Sequence, residues 1–193
     1  IQRNHLGTNA HGTADLDGTT TSNGRSGIVV TDGSTGTLIG GTTPGAGNII
    51  SGNNWYGIEI SDSNTTGNTV QGNYIGTDKT GLNPLGNSAG GLSFYNNSHD
   101  NLIGGSSTSA RNIISGNLSN GIWIGGGSGP YCNTFQGNWI GLGSAGSAVG
   151  NQSNGIRLTD SARDILIGGT DPGEGNRISN NVNRAVSMSP TAG

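Results

Sequence analysis

Six segments of the chain share one pattern, a small residue followed by apolar, variable and apolar positions. They are Gly27-Ile-Val-Val, Gly57-Ile-Glu-Ile, Gly91-Leu-Ser-Phe, Gly121-Ile-Trp-Ile, Gly155-Ile-Arg-Leu and Ala185-Val-Ser-Met, and their spacings run 30, 34, 30, 34, 30. Alternation with period two predicts short strands that send both apolar residues to one face and the variable residue to the other. Further strand-like runs lie between them: Thr37-Leu-Ile-Gly, Asn48-Ile-Ile-Ser, Asn68-Thr-Val-Gln and Tyr74-Ile-Gly, with counterparts from Asn101, Asn112, Asn133 and Trp139. All are bounded by Gly, Asn, Asp or Ser, as strands between turns are. No segment keeps a helical period over the ~11 residues a helix would need.

A longer period contains this one. The stretch Gly40–Ile60, GGTTPGAGNIISGNNWYGIEI, returns at Gly104–Ile124 and at Gly168–Met188, each copy 64 residues after the last. Two coils per 64-residue repeat follow from the alternating spacings. Strands that match only a full coil later pair in parallel, which makes the fold an all-β parallel solenoid. We expect a single domain over 1–193, with repeat units at roughly 27–90, 91–154 and 155–193 and with 1–26 as the end of a preceding coil. About six coils stacked at ~4.8 Å make a rod roughly 29 Å long.

The expected core consists of stacked columns: Ile28, Ile58, Leu92, Ile122, Ile156 and Val186 beside Val30, Ile60, Phe94, Ile124, Leu158 and Met188, with Ile50, Ile114 and Ile178 on a second wall. Asn occupies the corners, where it tolerates left-handed backbone and bonds nearby main chain. By position, Asn48, Asn112 and Asn176 hold one turn, Asn53, Asn117 and Asn181 the next, and Asn4, Asn73 and Asn138 a third. No cap is visible at either end, so the solenoid is expected to continue into further sequence or to stack on another copy.

Composition narrows the function classes. Charged residues are 10% and hydrophobic residues 29%, yet net charge is only -3 and the apolar positions are regular, which separates this chain from disordered ones. The 8 Lys and Arg are spread along the sequence without a basic patch, which argues against a nucleic-acid partner. No apolar run approaches the ~20 residues of a membrane span. Cys132 is the only cysteine, so there is no disulfide framework, and it matches Gly67 in a turn.

The succession GN-aromatic-IGTD-x-TG, GI-x-I and IGGTTPGAGNIISGN resembles the right-handed parallel β-helix repeat proteins, among them the NosD-like and pectate-lyase-like group and the tandem repeats of large bacterial secreted or surface proteins. The likeness covers nearly all of Ile1–Met188. It implies a right-handed β-helix at an extracellular or cell-surface location. It implies no single activity, because the superfamily holds lyases, hydrolases, epimerases and non-catalytic chains. In its enzymes the glycan usually lies along the outer face of one stacked sheet.

The outward column of the Gly-Ile-x-Ile strands reads Val29, Glu59, Ser93, Trp123, Arg157, Ser187. Glu59, Trp123 and Arg157 are the glycan-binding candidates, Trp123 as a stacking platform and the other two as polar partners. Trp55, Tyr56 and Glu59 are what the first copy of the repeat does not share with the others. Asp32 and Asp62 follow two neighbouring strands and, in register, stand about one strand spacing (~5 Å) apart, a separation that suits a retaining glycosidase pair. The competing reading is that Asp sits there as a turn residue, since later copies carry Asn96, Gly126 and Asp160. Asp15 and Asp17, in Asp15-Leu-Asp17-Gly, form half of a Ca2+ loop and lack its remaining ligands. No other cofactor is expected. His5, His11 and His99 stand apart, with His5 in the outward column of Tyr74 and Trp139.

These residues support a non-catalytic structural or adhesive β-helix segment of a larger extracellular or cell-surface bacterial protein. The alternative is a glycan-active β-helix, either a polysaccharide-binding module or a lyase or hydrolase fragment. Expected partners are polysaccharide or another copy through open coil ends.

Overall fold

The computed structural model describes residues 1–15, 23–159 and 162–189. Its strands form three sheets, and every strand pair in them is parallel. The first sheet stacks His5–Leu6, Ile49–Ile50, Tyr74–Ile75, Ile113–Ile114, Trp139–Ile140 and Arg177–Ile178. The second stacks Ile28–Val30, Tyr56–Ser61, Gly90–Tyr95, Asn120–Ile124, Ile156–Thr159 and Val186–Ser189. The third stacks Leu38–Gly40, Thr69–Gln71, Leu102–Gly104, Thr134–Gln136 and Leu166–Ile167. Together they wind a right-handed parallel β-solenoid of about five three-stranded turns. A single 3-10 turn, Thr108–Ala110, interrupts the pattern among the described residues, and no helix there is long and apolar enough to cross a membrane.

Each sheet contributes one wall of the core. The second supplies Ile28, Ile58, Leu92, Ile122 and Ile156 beside Val30, Ile60, Phe94 and Ile124, all buried. The first adds Ile50, Ile75, Ile114 and Ile140, and the third adds Ile39, Val70, Ile103 and Phe135, all at 0% exposure. Phe94 meets Phe135 edge-on at 5.2 Å across the interior. Each such side chain contributes ~1.5–3 kcal/mol by leaving water. The columns thin toward the last two rungs, where Leu158 is only half-buried and then Val186 and Met188 are exposed.

The asparagines form ladders, but the corners differ from their sequence spacing. Asn4, Asn48, Asn73, Asn112, Asn138 and Asn176 make one continuous ladder, each Nδ2 donating to the next Oδ1 at 2.8–3.1 Å. Two of the three expected corners are therefore one. The second ladder runs Asn23, Asn53, Asn87, Asn117, Asn151 and Asn181, twice as many members as the repeat suggests. A third, Asn68, Asn101 and Asn133, stands ahead of the third sheet. Within a ladder each amide also reaches main chain, as when Asn112 Nδ2 donates to the Val70 carbonyl at 2.8 Å. Both donors and the acceptor of a buried amide are thus used, which is the condition for burying it without loss.

Glycine is required where the chain leaves the third sheet. Gly40 and Gly104 have φ of +81° and +87°, and a Cβ on either would lie 1.9 Å from the carbonyl of Gln71 or Gln136. Cys132, by contrast, is an exposed turn residue at φ +51°, in keeping with its match to Gly67.

Candidate binding face

Glycine 90 opens the outer face of the second sheet. It pairs between Tyr56 and Asn120, and with no side chain there the Tyr56 ring lies across it, 3.3 Å from where a Cβ would stand. Tyr56 thereby reaches Trp123, the rings parallel within 9° and 6.3 Å apart between centroids. Trp55 meets Tyr56 edge-on at 5.7 Å, and Tyr95 tilts against Trp123 at 6.4 Å. Four of the chain's large aromatics thus converge on one face. Trp55 is the most open, at 53% exposure, and offers a ring face to solvent.

The register places Glu59, Ser93, Trp123 and Arg157 in one outward column. Glu59 is held on both oxygens. Ser26 Oγ donates to Oε2 at 2.7 Å, and the Tyr95 hydroxyl donates to Oε1. Trp123 Nε1 donates to Thr159 Oγ1 at 3.1 Å, which fixes the indole. Burial and the bond to Glu59 push the Tyr95 pKa up to about 12, and burial followed by the Glu59 charge raises that of Tyr56. Both phenols therefore stay neutral donors at ordinary pH. Ser93, fully buried under this cluster, has no hydrogen-bond partner for its hydroxyl among the described residues.

Two clefts share Trp55 and Tyr95 as a common wall. One, of about 290 Å3, lies among Tyr56, Tyr95, Asn96 and Trp123. The other, of about 550 Å3, lies beside Arg25, Asn54 and Glu59. Arg157 is in register with Trp123 but exposed and outside both clefts. Of the sequence candidates, then, Glu59 and Trp123 line this face and Arg157 stands at its edge. Tyr95 does not appear among the sequence candidates, and only the fold shows its hydroxyl on Glu59.

The carboxylates singled out as catalytic candidates lie in turns beside the second sheet. Asp32 and Asp62 both adopt left-handed backbone, with φ of 55° and 76°. Asp62 accepts from the Thr31 hydroxyl and from Asn96 Nδ2 at 3.2 Å. The Thr31 bond, then the Asn96 bond, hold its carboxyl below the usual aspartate range. That shift keeps the group ionised at ordinary pH. Asp15 forms an antiparallel bridge with Thr8, and Asp17 lies outside the described residues. No group of three or more His, Cys, Asp or Glu that could hold a metal ion occurs among the described residues. His99 stacks on Tyr131 at 4.5 Å and contacts Asp100 through Nδ1 at 2.7 Å, a surface arrangement with no nucleophile in it.

No protein-family model, curated protein or solved structure matches the chain, so the resemblance drawn from its repeat rests on the parallel β-solenoid itself.

Proposed function

We propose that this chain is a non-catalytic structural and adhesive β-helix segment of a larger extracellular or cell-surface bacterial protein. The observation that carries this reading is the continuity of the three asparagine ladders with the apolar columns between them. Most of the buried asparagines are committed to holding one rung on the next, which suits a stiff rod. On this reading 1–193 is a single domain of about six coils, with repeat units near 27–90, 91–154 and 155–193, and the last rung meets further coils or another copy.

The aromatic face favours a second reading, polysaccharide binding without turnover. Sugars present apolar faces that stack on exposed rings and hydroxyls that bond fixed carboxylates and phenols. Trp55, Trp123, Tyr95 and Glu59 supply that combination.

Incubation with a panel of neutral and acidic polysaccharides separates the readings. We expect no new reducing or unsaturated ends, and retention of one or more glycans that disappears in Trp123→Ala. Cleavage lost in Asp62→Asn would overturn the non-catalytic reading. Retention unchanged in Trp123→Ala would overturn the glycan-binding assignment of this face.

A further inference from the structure

The outer face of the first sheet carries a separate constellation. Its outward column runs His5, Ile49, Tyr74, Ile113, Trp139, Arg177 in register. Arg177, one rung beyond Trp139, places its guanidinium carbon 5.3 Å from the indole centroid. Arg111, from the turn before Ile113 on the preceding rung, places its own 4.2 Å from the same centroid. Two arginines 66 positions apart in sequence are thus gathered on one ring, which corrects the picture of basic residues dispersed without a patch.

Among the described residues no ion pair reaches Arg111 or Arg177. The single ion pair among the described residues is His99 with Asp100. Glu174, in the loop that leads to Arg177, turns its carboxylate back to the Asp171 N–H at 3.0 Å. Arg111 Nε donates to the Gly137 carbonyl at 3.4 Å, leaving the rest of its fork for another partner. Burial, and then the charge of Arg177, lower the Arg111 pKa. Converging cations in a half-buried place are costly unless a counter-charge joins them. Beside Arg111 opens a cleft of about 330 Å3, floored by Ile49, Tyr74 and Ile113 and edged by Ser109 and Ser144.

We propose that Arg111, which lines this cleft, and Arg177, which meets it on the Trp139 ring, bind sulfate ester groups of an acidic glycan. The guanidinium fork pairs with oxyanions through parallel N–H bonds. A sulfate ester stays charged at any ordinary pH and has more terminal oxygens to accept from guanidinium N–H groups than a carboxylate does. Both guanidinium groups lie against Trp139, and Ser109, Ser144 and Tyr74 line the cleft where the sugar would lie. The whole protein carries a net charge of -3, so a polyanion is not drawn to its surface at large and retention depends on this locality. The site is independent of the aromatic face, where Glu59 would repel the same ligand.

The test is calorimetric titration of the intact protein with dextran sulfate, polygalacturonate and neutral dextran, repeated for Arg111→Gln, Arg177→Gln, Arg184→Gln and Trp123→Ala. Thermal unfolding of each variant verifies that it is folded, and the exposed Arg177→Gln carries the test if Arg111→Gln is not. Dextran sulfate should bind, polygalacturonate more weakly and dextran not at all. Arg111→Gln and Arg177→Gln should each weaken dextran sulfate binding by about tenfold or more, the range for a lost charge-assisted bond. Arg184→Gln and Trp123→Ala should leave it unchanged. Absence of dextran sulfate binding, equal weakening in Arg184→Gln, or polygalacturonate binding as tight as dextran sulfate would each overturn the proposal. Loss in Trp123→Ala would overturn it too, by placing the ligand on the other face.

Discussion

Asn73 Nδ2 donates to Asn112 Oδ1 at 3.0 Å, and Asn73 Oδ1 in turn accepts from Asn48 Nδ2 at 2.8 Å, so one amide joins three successive rungs. Replacing Asn112 by Ala removes the acceptor for both the backbone and side-chain N–H of Asn73 and the donor to Val70. Each buried group left unsatisfied costs ~1–3 kcal/mol. Asn112→Ala should therefore destabilise the protein by ~3 kcal/mol or more, read from the urea midpoint. A cost near that of a surface substitution would show that the ladder contributes little.

Position along the rod should set the cost of core truncation. Phe135→Ala empties the centre against Phe94 and should cost ~3–5 kcal/mol. Met188→Ala, in the equivalent inward direction but 75% exposed on the last rung, should cost less than ~1 kcal/mol. Paired thermal scans of the two variants check this contrast.

Tyr95 should be the last tyrosine to ionise. Folding raises its pKa from 10.0 to about 12, so the folded state holds a proton that the unfolded state has released in that window. The associated stability is intact below pH 10 and declines as pH rises toward 12. Ultraviolet titration of phenolate absorbance should show this late step. Glu59→Gln should move it part of the way back, since burial remains the larger cause.

Asp62 works with the opposite sign. Its carboxyl is held below the ordinary aspartate value of 3.8, chiefly by the Thr31 hydroxyl, so it favours the folded state above that pH and stops doing so as pH falls through its own lower pKa. Carboxyl resonances followed by NMR should place Asp62 among the most acidic aspartates. In Thr31→Val its titration should shift upward.

The wall of the second sheet was legible in the sequence because the residues of each rung recur at 30 and 34 positions and point inward by simple alternation. The corners were not. Asn48 and Asn112 match over the 64-residue repeat, but their true neighbour is Asn73, which lies 25 positions from one and 39 from the other. A repeat of two coils shows every second rung of a corner and conceals the rung between. The same limit hid the sites. Tyr95 and Glu59 are 36 positions apart, and their bond depends on how side chains lean across a rung. Arg111 joins Trp139 from a turn, where no periodicity indicates direction.

The asparagine ladders also have a sense. In all three, Nδ2 of the lower-numbered residue donates to Oδ1 of the higher, so the amide dipoles of each column add instead of cancelling. Asn154, which donates backward to Asn120, is a local exception outside the three columns. The two ends of the rod are therefore chemically unlike. An added rung at the end of Asn176 and Asn181 must bring acceptors, and one at the end of Asn4 and Asn23 must bring donors. A contact that extended these ladders would therefore have to run head to tail, with the donors of one copy meeting the acceptors of the next.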